Sequence, residues 1–453
     1  MLELKLYMDR IRTRFAPSPT GSMHIGNLRT ALYAYALAKH SGGDFILRIE
    51  NTDKKREKAG GIEEIKNLLG IFGISWDEYY VQSERLEKYQ KAAHKLVAEG
   101  HAFYCQCSAR NAKEQGFSSQ LRDPCREKGL TSGAIKLKVP EREEVSFDDF
   151  VLGKKVVWDS STVADTTLLK SDGFPTYHLA VVVDDTDMQI THVLRGHDWL
   201  PSTPVHLLVY KHLGFTAPQI GHLTDILDPD GGKLSKRKGS TSCGGLIEEG
   251  YLPEAILNFI MLLGWAPKDN RELFTLEEFV KAFDPNGFQK SNPTFNHDKL
   301  DWFNGEYIRK LTNTELSLKL KTINSKFGDL GKNKQEVIAK LVKDRIVKLS
   351  DFNSLAGFFF ESPKVDKKLL GGNCERHLSE ALEKINNLKE WNLNTLNSSL
   401  MEIVKDKGYK TGDFFMDLRI AICGSRFTLP VNDSIIILGK EETTKRIRQV
   451  LSF

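Results

Sequence analysis

The order of predicted elements in the first fifty residues is the strongest constraint on the fold. Residues 11–16 alternate apolar and polar side chains, which predicts a strand, and the loop Pro17–Gly21 ends it. Apolar residues at helical spacing follow, and this predicted helix ends at Ser41-Gly42-Gly43, before a second strand at 45–49. A strand, a helix and a strand in so short a stretch form a βαβ unit. We therefore predict an α/β fold with a Rossmann-like, doubly wound parallel sheet.

The rest of the chain extends this sheet and adds further regions to it. Helical spacing continues through residues 60–100, whereas residues 101–190 contain a cysteine cluster and several strand-like runs. This change of character predicts an inserted α+β domain. The later predicted elements are a strand at 190–194, helices at 200–215 and 246–265, and a hinge at Asp301–Gly305 that leads into a mainly helical C-terminal region.

The composition is typical of a soluble globular protein with several domains. Hydrophobic residues make up 40% of the 453 residues, and charged residues make up 27%. The longest apolar run, Ala255–Trp265, is interrupted by Asn258 and is too short to span a bilayer. The N-terminus lacks a secretory signal pattern, and the six cysteines form no regular disulfide framework. We therefore expect no membrane association and a reduced, cytoplasmic setting.

The net charge of +4 conceals an uneven distribution along the chain. Residues 305–453 contain 26 Lys and Arg against 19 Asp and Glu, whereas the preceding residues are slightly acidic. A basic C-terminal third suits a polyanionic partner such as a nucleic acid. A solvated, lysine-rich surface is the simpler explanation of the charge alone.

Two short, glycine-flanked segments carry residues suited to phosphate. His24-Ile-Gly-Asn27 stands at the start of the first predicted helix, where free backbone N–H groups favour anions. Lys233-Leu-Ser-Lys-Arg237 follows a glycine-rich loop and supplies a cluster of cationic side chains. Each segment alone is also compatible with an ordinary surface turn or a basic surface loop. A site built from both would hold one extended polyanion, such as a nucleoside triphosphate, and would indicate an adenylating enzyme.

Further motifs occur in a fixed order around these two segments. They are Arg12-Thr-Arg-Phe-Ala-Pro-Ser-Pro-Thr-Gly-Ser-Met-His-Ile-Gly-Asn27, Arg48-Ile-Glu-Asn-Thr-Asp53, Leu169-Lys-Ser-Asp-Gly-Phe-Pro-Thr-Tyr-His-Leu-Ala180, Val193-Leu-Arg-Gly-His-Asp-Trp199, Lys233–Arg237 and Trp302–Arg309. In these motifs the sequence resembles the class I aminoacyl-tRNA synthetases of the glutamyl type, densely over residues 10–310.

The resemblance implies two adjoining substrate sites. It implies that ATP is held by His24, Gly26, Asn27 and Lys236, and that His24, Lys233 and Lys236 serve the chemistry. Arginine suits a γ-carboxylate because its planar guanidinium can bind both oxygens, and a glutamate carboxylate suits an α-ammonium group. The residues implied to bind the amino acid glutamate are Arg14, Ala16, Ser18, Glu50, Tyr177 and Arg195.

The implied reaction needs no protein nucleophile. The glutamate α-carboxylate attacks the α-phosphate of ATP, and the glutamyl group then passes to the 3′ end of tRNA-Glu. Mg²⁺ is expected on the phosphates. We expect a monomer.

By the same resemblance, the chain divides into five regions. We predict a catalytic domain in two halves, an inserted acceptor-binding domain, a helical stem-contact domain and a helical anticodon-binding domain. The catalytic halves span residues 1–100 and 189–240, and the insertion between them spans 101–188. The stem-contact domain spans 241–309 and the anticodon-binding domain spans 310–453.

Several positions depart from the family pattern. Asn27 ends the first motif where histidine is common, Asn51 replaces an aspartate, and Val181 stands where asparagine is expected. His197-Asp198 replaces a more usual acidic pair. These departures leave open an enzyme that charges tRNA-Gln with glutamate. A non-catalytic tRNA-binding paralog is a separate alternative, and the intact Arg14 and Lys236 argue against it.

The cysteines of the insertion suggest a metal site. Cys105, Cys107 and Cys125 supply three thiols, and a zinc site takes four ligands from Cys, His, Asp or Glu. Glu127 is the candidate for the fourth ligand, with water as the alternative. The sequence is equally compatible with a metal-free knuckle.

Overall fold

A computed structural model describes residues 10–107, 122–234 and 242–452. These residues form two compact units. The first contains the described residues up to Ile247 together with Ile256–His297, and the second contains Glu248–Ala255 together with the residues from Asp298 onward. The finer division into five regions stays a prediction.

The strands of the described residues all lie in the first unit. They are β1 (Arg12–Phe15), β2 (Asp44–Ile49), β3 (Glu78–Val81), β4 (Ala102–Cys105), β5 (Ala134–Leu137), β6 (Glu144–Asp149), β7 (Lys154–Asp159), β8 (Thr167–Leu169), β9 (His192–Gly196) and β10 (Gln219–Leu223). The helices up to residue 282 are α1 (Ile25–His40), α2 (Gly61–Ile71), α3 (Leu86–Ala98), α4 (Tyr177–Asp187), α5 (Thr203–Leu213), α6 (Cys243–Glu248), α7 (Pro253–Met261) and α8 (Leu276–Ala282).

Parallel pairing builds the central sheet of the first unit. β1, β2 and β3 pair in parallel in that order, and β9 pairs in parallel with β10. Thr191 N, just before β9, donates to the Arg12 carbonyl of β1 at 3.0 Å and brings the two groups of strands side by side. The strand order therefore reverses between β1 and β9, which is the switch point where ligands bind in such sheets. The predicted doubly wound α/β fold is confirmed.

The predicted insertion contributes antiparallel structure. β4, β5 and β8 form a separate antiparallel sheet. β6 and β7 form an antiparallel hairpin, and Asp149 at the end of β6 pairs in parallel with Ile220 of β10. The hairpin is thus joined to the central sheet at its β10 side.

Local sequence fixes both ends of α1. The His24 side chain accepts from the backbone N–H groups of the first turn, and the Asn27 side chain accepts from His24 N, which makes a capping box. Lys39 and His40 lie in the last turn, where positive charge is favourable at a helix C-terminus. Apolar residues of the helix, among them Leu28 and Leu32, are fully buried against the sheet.

A group of buried charges joins β1, β2 and α4. Arg48 of β2 is completely buried and donates to Asp185 of α4 at 2.6 Å. Asp185 also accepts from Arg14 of β1 at 3.1 Å, and Arg48 also donates to Glu50 at 3.2 Å. Buried charges are tolerated when each has a partner, so these contacts depend on one another.

The second unit is helical, as predicted. One core, which includes Phe358, Leu400, Phe414 and Ile447, packs the later helices together. The helices of this unit are α9 (His297–Lys310), α10 (Asn313–Ile323), α11 (Ser325–Gly328), α12 (Lys332–Lys343), α13 (Asp351–Ala356), α14 (Cys374–Asn386), α15 (Leu393–Asp406), α16 (Thr411–Cys423), α17 (Val431–Leu438) and α18 (Lys440–Leu451).

The hinge predicted at Asp301–Gly305 is wrong. This stretch lies inside α9, where Asn304 is fully buried. The Asn304 side chain accepts from Leu252 N at 2.8 Å and donates to Val347 O at 2.6 Å. Asn-Gly is common in turns, but here the asparagine amide satisfies buried backbone groups, so the helix continues through it.

Two other details of the sequence prediction differ from the structure. The helix predicted at 246–265 is divided into α6 and α7, with Gly250 at a φ of +96° between them. Strand β3 was not predicted, since its short Glu-Tyr-Tyr-Val run lies between two helices.

No helix among the described residues is long and apolar enough to cross a membrane.

Replacing Arg48 should destabilise the first unit strongly. Arg48→Met removes one partner of a buried pair and should lower the free energy of unfolding by about 3–5 kcal/mol. Arg56→Met is the matched control, because the Arg56 side chain is 74% exposed in its pair with Asp53, and it should change stability by less than about 0.5 kcal/mol. Urea unfolding of both variants measures the difference. Equal stabilities would contradict a structural role for the buried pair.

Candidate functional site

Two adjoining cavities open at the carboxyl ends of β1 and β9, where the strand order reverses. Each has a volume of about 410 Å³. Residues that line both are His24, Asn27, Thr30, Gly196 and Trp199. A ligand in one cavity therefore lies directly beside a ligand in the other.

The first cavity collects the residues expected to bind an amino acid. Its walls come from β1, the end of β2, the start of α4 and β9. All six of the expected residues are among those that line it, namely Arg14, Ala16, Ser18, Glu50, Tyr177 and Arg195.

Arg14 and Glu50 are held at this cavity by the buried charge group. Arg14 donates from Nε to Asp185 and from Nη1 to the Leu194 carbonyl at 3.3 Å. The Glu50 carboxyl is only 9% exposed and accepts from Arg48. Burial raises the pKa of Glu50 to about 7, although the nearby guanidinium groups of Arg48 and Arg14 oppose the rise. The cavity thus offers a cation and a carboxyl that titrates near neutrality.

Arg195 reaches the same cavity from β9. Its Nε donates to His222 Nε2 at 3.0 Å, and its Nη2 donates to Thr203 Oγ1 at 2.7 Å. Its Nη1 donates to the Tyr177 hydroxyl at 3.3 Å. Burial raises the pKa of Tyr177, so its hydroxyl stays protonated at neutral pH. These contacts leave the guanidinium little freedom to turn.

The second cavity contains the start of α1. His24 Nδ1 accepts from Gly26 N at 3.1 Å and from Asn27 N at 3.4 Å. Nδ1 is therefore the acceptor nitrogen, and Nε2 carries the proton of the neutral ring. A Cβ at residue 26 would lie 3.1 Å from the His24 ring, so glycine at this position leaves room for the cap. The positive end of α1 beside an imidazole N–H suits a phosphate group.

The cationic segment flanks the same cavity. Lys233 lines it and forms ion pairs with Asp198 and with Asp225, the latter at 3.0 Å. Leu234 N donates to Ile226 O at 2.9 Å, and Ser242 pairs with His24 in a short antiparallel bridge. Leu234 and Ser242, the residues on either side of 235–241, therefore both lie at the second cavity. Lys236, the residue expected to contact ATP, lies outside the described residues.

A third cavity of about 550 Å³ adjoins the first one and was not anticipated from the sequence. It shares Glu50, Tyr177 and Trp199 with the first cavity. Basic residues line part of it, namely Lys54, Lys55, Arg56 and Lys170. Lys54, Lys55 and Arg56 are consecutive and directly follow the Arg48–Asp53 motif, and Lys170 lies inside the Leu169–Ala180 motif, so the sequence contained a signal that could have identified them.

The cysteine cluster contains an acidic residue that sequence reasoning missed. Asp123 lies with Cys105, Cys107 and Cys125, and one potential ligand atom from each of the four falls within 4.8 Å of the others. Glu127, the residue expected to complete the set, is 78% exposed and pairs with Lys138 at 3.3 Å. Three sulfurs and one carboxylate oxygen are a suitable donor set for zinc. Asp123 stands only two residues before Cys125, which is the signal that could have identified it.

Comparison with known proteins accounts for both units. Residues 10–302 match the catalytic domain family of class I tRNA synthetases (E and Q), and residues 295–451 match an anticodon binding domain family. The chain belongs to the class I tRNA synthetases of the E and Q family.

Similar members of this family match the chain over nearly its whole length. A glutamate–tRNA ligase of Dehalococcoides mccartyi is 38% identical over 98% of each chain, and one of Clostridium tetani is 40% identical over 97% of each. A crystal structure of a glutamate tRNA ligase from Elizabethkingia meningosepticum, in complex with its amino acid, is 33% identical. It superposes with a TM-score of 0.87 and covers 98% of this chain and 99% of its own.

Of the departures from the synthetase pattern, Asn27 lines the first cavity, whereas Val181 and Asn51 do not. Val181 is 2% exposed and packs in the core around α3, α4 and α5. Asn51 is buried and exchanges two hydrogen bonds of 3.0 Å with Ser83. Among the described residues that line the first cavity, neither appears. Asp198 lies at the second cavity, where it pairs with Lys233.

Two substitutions at His24 should separate its role as a helix cap from the contact that we predict for it with ATP, the nucleotide that class I synthetases use. His24→Ala removes the cap and should cost about 1 kcal/mol of stability, whereas His24→Asn keeps a capping oxygen and should cost only a few tenths. Both lose the Nε2–H donor, so both should charge tRNA roughly a hundredfold more slowly. Thermal unfolding and charging rates check these outcomes. A His24→Asn variant with full activity would show that the histidine acts only as a cap.

Proposed function

We propose that this chain is a glutamate–tRNA ligase. It activates glutamate with ATP and transfers the glutamyl group to the 3′ end of tRNA-Glu. The observation that carries the proposal is the first cavity, where two arginines and a carboxyl group lie directly beside the second cavity. The full-length similarity to glutamate–tRNA ligases supports the same activity.

Each charged group of glutamate has a counterpart in the first cavity. Arg195 and Arg14 bind the γ-carboxylate, because hydrogen bonds from a guanidinium to a carboxylate are charge-assisted and strong. Glu50, in its ionised form, binds the α-ammonium group. Tyr177 lines the cavity beside Arg195, and its hydroxyl accepts from Arg195 and can donate its proton to the substrate. Ala16 and Ser18 have small side chains that leave space for the substrate.

The second cavity binds ATP. The triphosphate lies against the start of α1, where Gly26 and Asn27 present backbone N–H groups and His24 presents Nε2–H. Lys233 and Lys236 neutralise charge on the phosphates as it develops. The carboxylates at this cavity, Asp198 and Asp225, already pair with Lys233. We infer that Mg²⁺ is held mainly by the phosphate oxygens, as is common for this ion.

The adjoining positions of the cavities suit both steps of the reaction. An α-carboxylate oxygen of glutamate attacks the α-phosphorus of ATP, and the bond to pyrophosphate breaks. A ribose hydroxyl of the tRNA end then attacks the activated carbonyl carbon, and AMP leaves. We infer that the tRNA end enters through the third cavity, since its basic wall suits a phosphate backbone and it opens onto the first cavity at Glu50 and Tyr177.

One experiment tests this function and its main alternative together. The purified chain is incubated with ATP, radiolabelled glutamate and either tRNA-Glu or tRNA-Gln. We expect charging of tRNA-Glu, with tRNA-Gln charged at least roughly a hundredfold less efficiently. Equal charging of both would establish the tRNA-Gln alternative. The absence of any charged product alongside intact tRNA binding would establish a non-catalytic paralog.

Three further properties belong to the proposal. We infer that the chain acts as a monomer, because one chain supplies the walls of all three cavities. We infer a cytoplasmic location, because all six cysteines are unpaired. We also infer that Cys105, Cys107, Cys125 and Asp123 hold a zinc ion.

The affinity for glutamate should depend on pH through Glu50. Its pKa of about 7 leaves the carboxyl mostly protonated at pH 6 and mostly ionised at pH 8. Only the ionised form attracts the α-ammonium group, so kcat/KM for glutamate should rise about tenfold from pH 6 to pH 8. Glu50→Gln should remove this pH dependence and lower kcat/KM throughout. A profile that is unchanged in Glu50→Gln would assign the titration to another group.

The zinc proposal distinguishes Asp123 from Glu127. The purified protein should contain about one equivalent of zinc, whereas Asp123→Ala should contain less than about a tenth of an equivalent. Glu127→Ala is the matched control and should keep its zinc, because Glu127 is exposed. Elemental analysis after dialysis measures the content. Less than about a tenth of an equivalent in the unmodified protein would end the zinc proposal.

A further inference from the structure

A buried line of hydrogen bonds runs from Asp149, at the end of β6, to Arg195 on β9. His222 of β10 stands between them. Its Nδ1 lies 2.6 Å from Asp149 Oδ2, and its Nε2 lies 3.0 Å from Arg195 Nε. Their exposed fractions are 1% for Asp149, 0% for His222 and 6% for Arg195. Water therefore cannot easily substitute for any of these contacts.

The chemistry of the three groups fixes the direction of every hydrogen bond. A guanidinium can only donate, so His222 Nε2 must accept from Arg195. The His222 proton is then on Nδ1, where it donates to the Asp149 carboxylate. The other Asp149 oxygen accepts from Val151 N at 3.1 Å and Leu152 N at 3.0 Å, which holds the carboxylate in place.

The ionisation states agree with this assignment. Burial would raise the pKa of Asp149, but hydrogen bonds from His222 and from backbone N–H groups outweigh it and hold that pKa below its ordinary value. Burial lowers the pKa of His222, and the charge of Arg195 adds to the effect. At neutral pH the pair is therefore an ionised carboxylate and a neutral imidazole.

The other two nitrogens of the Arg195 guanidinium also have defined acceptors. Nη1 donates to His206 Nδ1 at 3.0 Å, and His206 Nε2 in turn lies 3.1 Å from His178 Nδ1. Nη2 donates to Thr203. These three acceptors, together with the Tyr177 hydroxyl that accepts from Nη1 at 3.3 Å, set the plane of the guanidinium, but only the His222 contact passes to a charged residue.

We propose that Asp149 is a positioning residue for amino-acid binding, since it fixes the His222 tautomer that accepts from Arg195. Asp149 lines none of the three cavities among the described residues. It acts through His222 by keeping the Arg195 guanidinium in the plane that meets a γ-carboxylate. The inference rests on the proposed role of Arg195 in binding glutamate.

An amide at position 149 would reverse the hydrogen bonds. In Asp149→Asn, the remaining oxygen keeps the backbone N–H groups of Val151, Leu152 and His222, so the amide N–H₂ faces His222 Nδ1. His222 must then accept at Nδ1 and carry its proton on Nε2, which places two donors against each other at Arg195. The guanidinium has to turn, although the shape of the side chain at 149 is unchanged.

Steady-state charging kinetics test the proposal. Asp149→Asn should raise KM for glutamate roughly tenfold or more, while KM for ATP and for tRNA changes less than about twofold. Asp148→Asn is the matched control, because Asp148 is the exposed neighbour on the same strand. It should behave like the unmodified protein. At position 222, His222→Gln keeps an acceptor near Nε2 and should be less impaired than His222→Phe, which keeps none.

Two comparisons distinguish a failure of the proposed function from a failure of this inference. Arg195→Lys should itself raise KM for glutamate, and an unchanged KM would overturn the proposed function rather than this inference. If Arg195→Lys raises KM but Asp149→Asn does not, the role of Asp149 is overturned. An equal rise in KM for all three substrates with Asp149→Asn would assign Asp149 a general structural role and would also overturn the proposal.

A measurement on the unmodified protein tests the His222 tautomer directly, without relying on the kinetics of variants that could fail to fold. Nitrogen NMR of protein labelled in its histidine rings reports which nitrogen of each ring carries the proton, and the signal missing in His222→Gln identifies His222. We expect the proton on Nδ1. A proton on Nε2 would overturn the inference without reference to any kinetic result.

Discussion

The ion pair between Arg48 and Asp185 is the interaction on which the proposed amino-acid site depends. Arg48 is completely buried on β2 and Asp185 is buried on α4, so each needs the other in the absence of water. Asp185 also holds Arg14, and Arg48 also holds Glu50. The two residues that contribute opposite charges to the first cavity are therefore positioned by one pair. Its partners come from β1, β2 and α4, so this side of the site forms only when these three elements meet.

On the β9 side of the first cavity, Arg195 is held by uncharged acceptors and, through His222, by the Asp149 carboxylate. Arg195 donates to His222, His206 and Thr203, and this set of acceptors comes from β10 and α5. The first cavity thus lies between two preorganised sets of side chains. One is the set of ion pairs around Arg48 and Asp185, and the other is the set of hydrogen bonds around Arg195, which depends on the tautomers of its histidine partners. Preorganised donors stabilise charge without reorganising during the reaction, which suits a mechanism with no protein nucleophile.

The sequence allowed much of the fold and of the candidate site to be predicted. The βαβ unit followed from local spacing, and the residues of the first cavity followed from ordered motifs. Long-range chemistry could not be predicted in this way. Asp149, His222 and His206 carry no motif and become meaningful only when β6, β9 and β10 meet. Asn304 was misinterpreted for the same reason, because its amide serves Leu252 and Val347, which are distant in sequence.

The most direct test of the central claim is a crystal structure with a non-hydrolysable analogue of glutamyl-adenylate bound. The account predicts γ-carboxylate oxygens within about 3 Å of nitrogens of Arg14 and Arg195, with the ammonium group at Glu50 and the adenosine phosphate at His24 Nε2. The guanidinium of Arg195 should keep its contact with His222. An analogue bound with its γ-carboxylate away from both arginines would contradict the account.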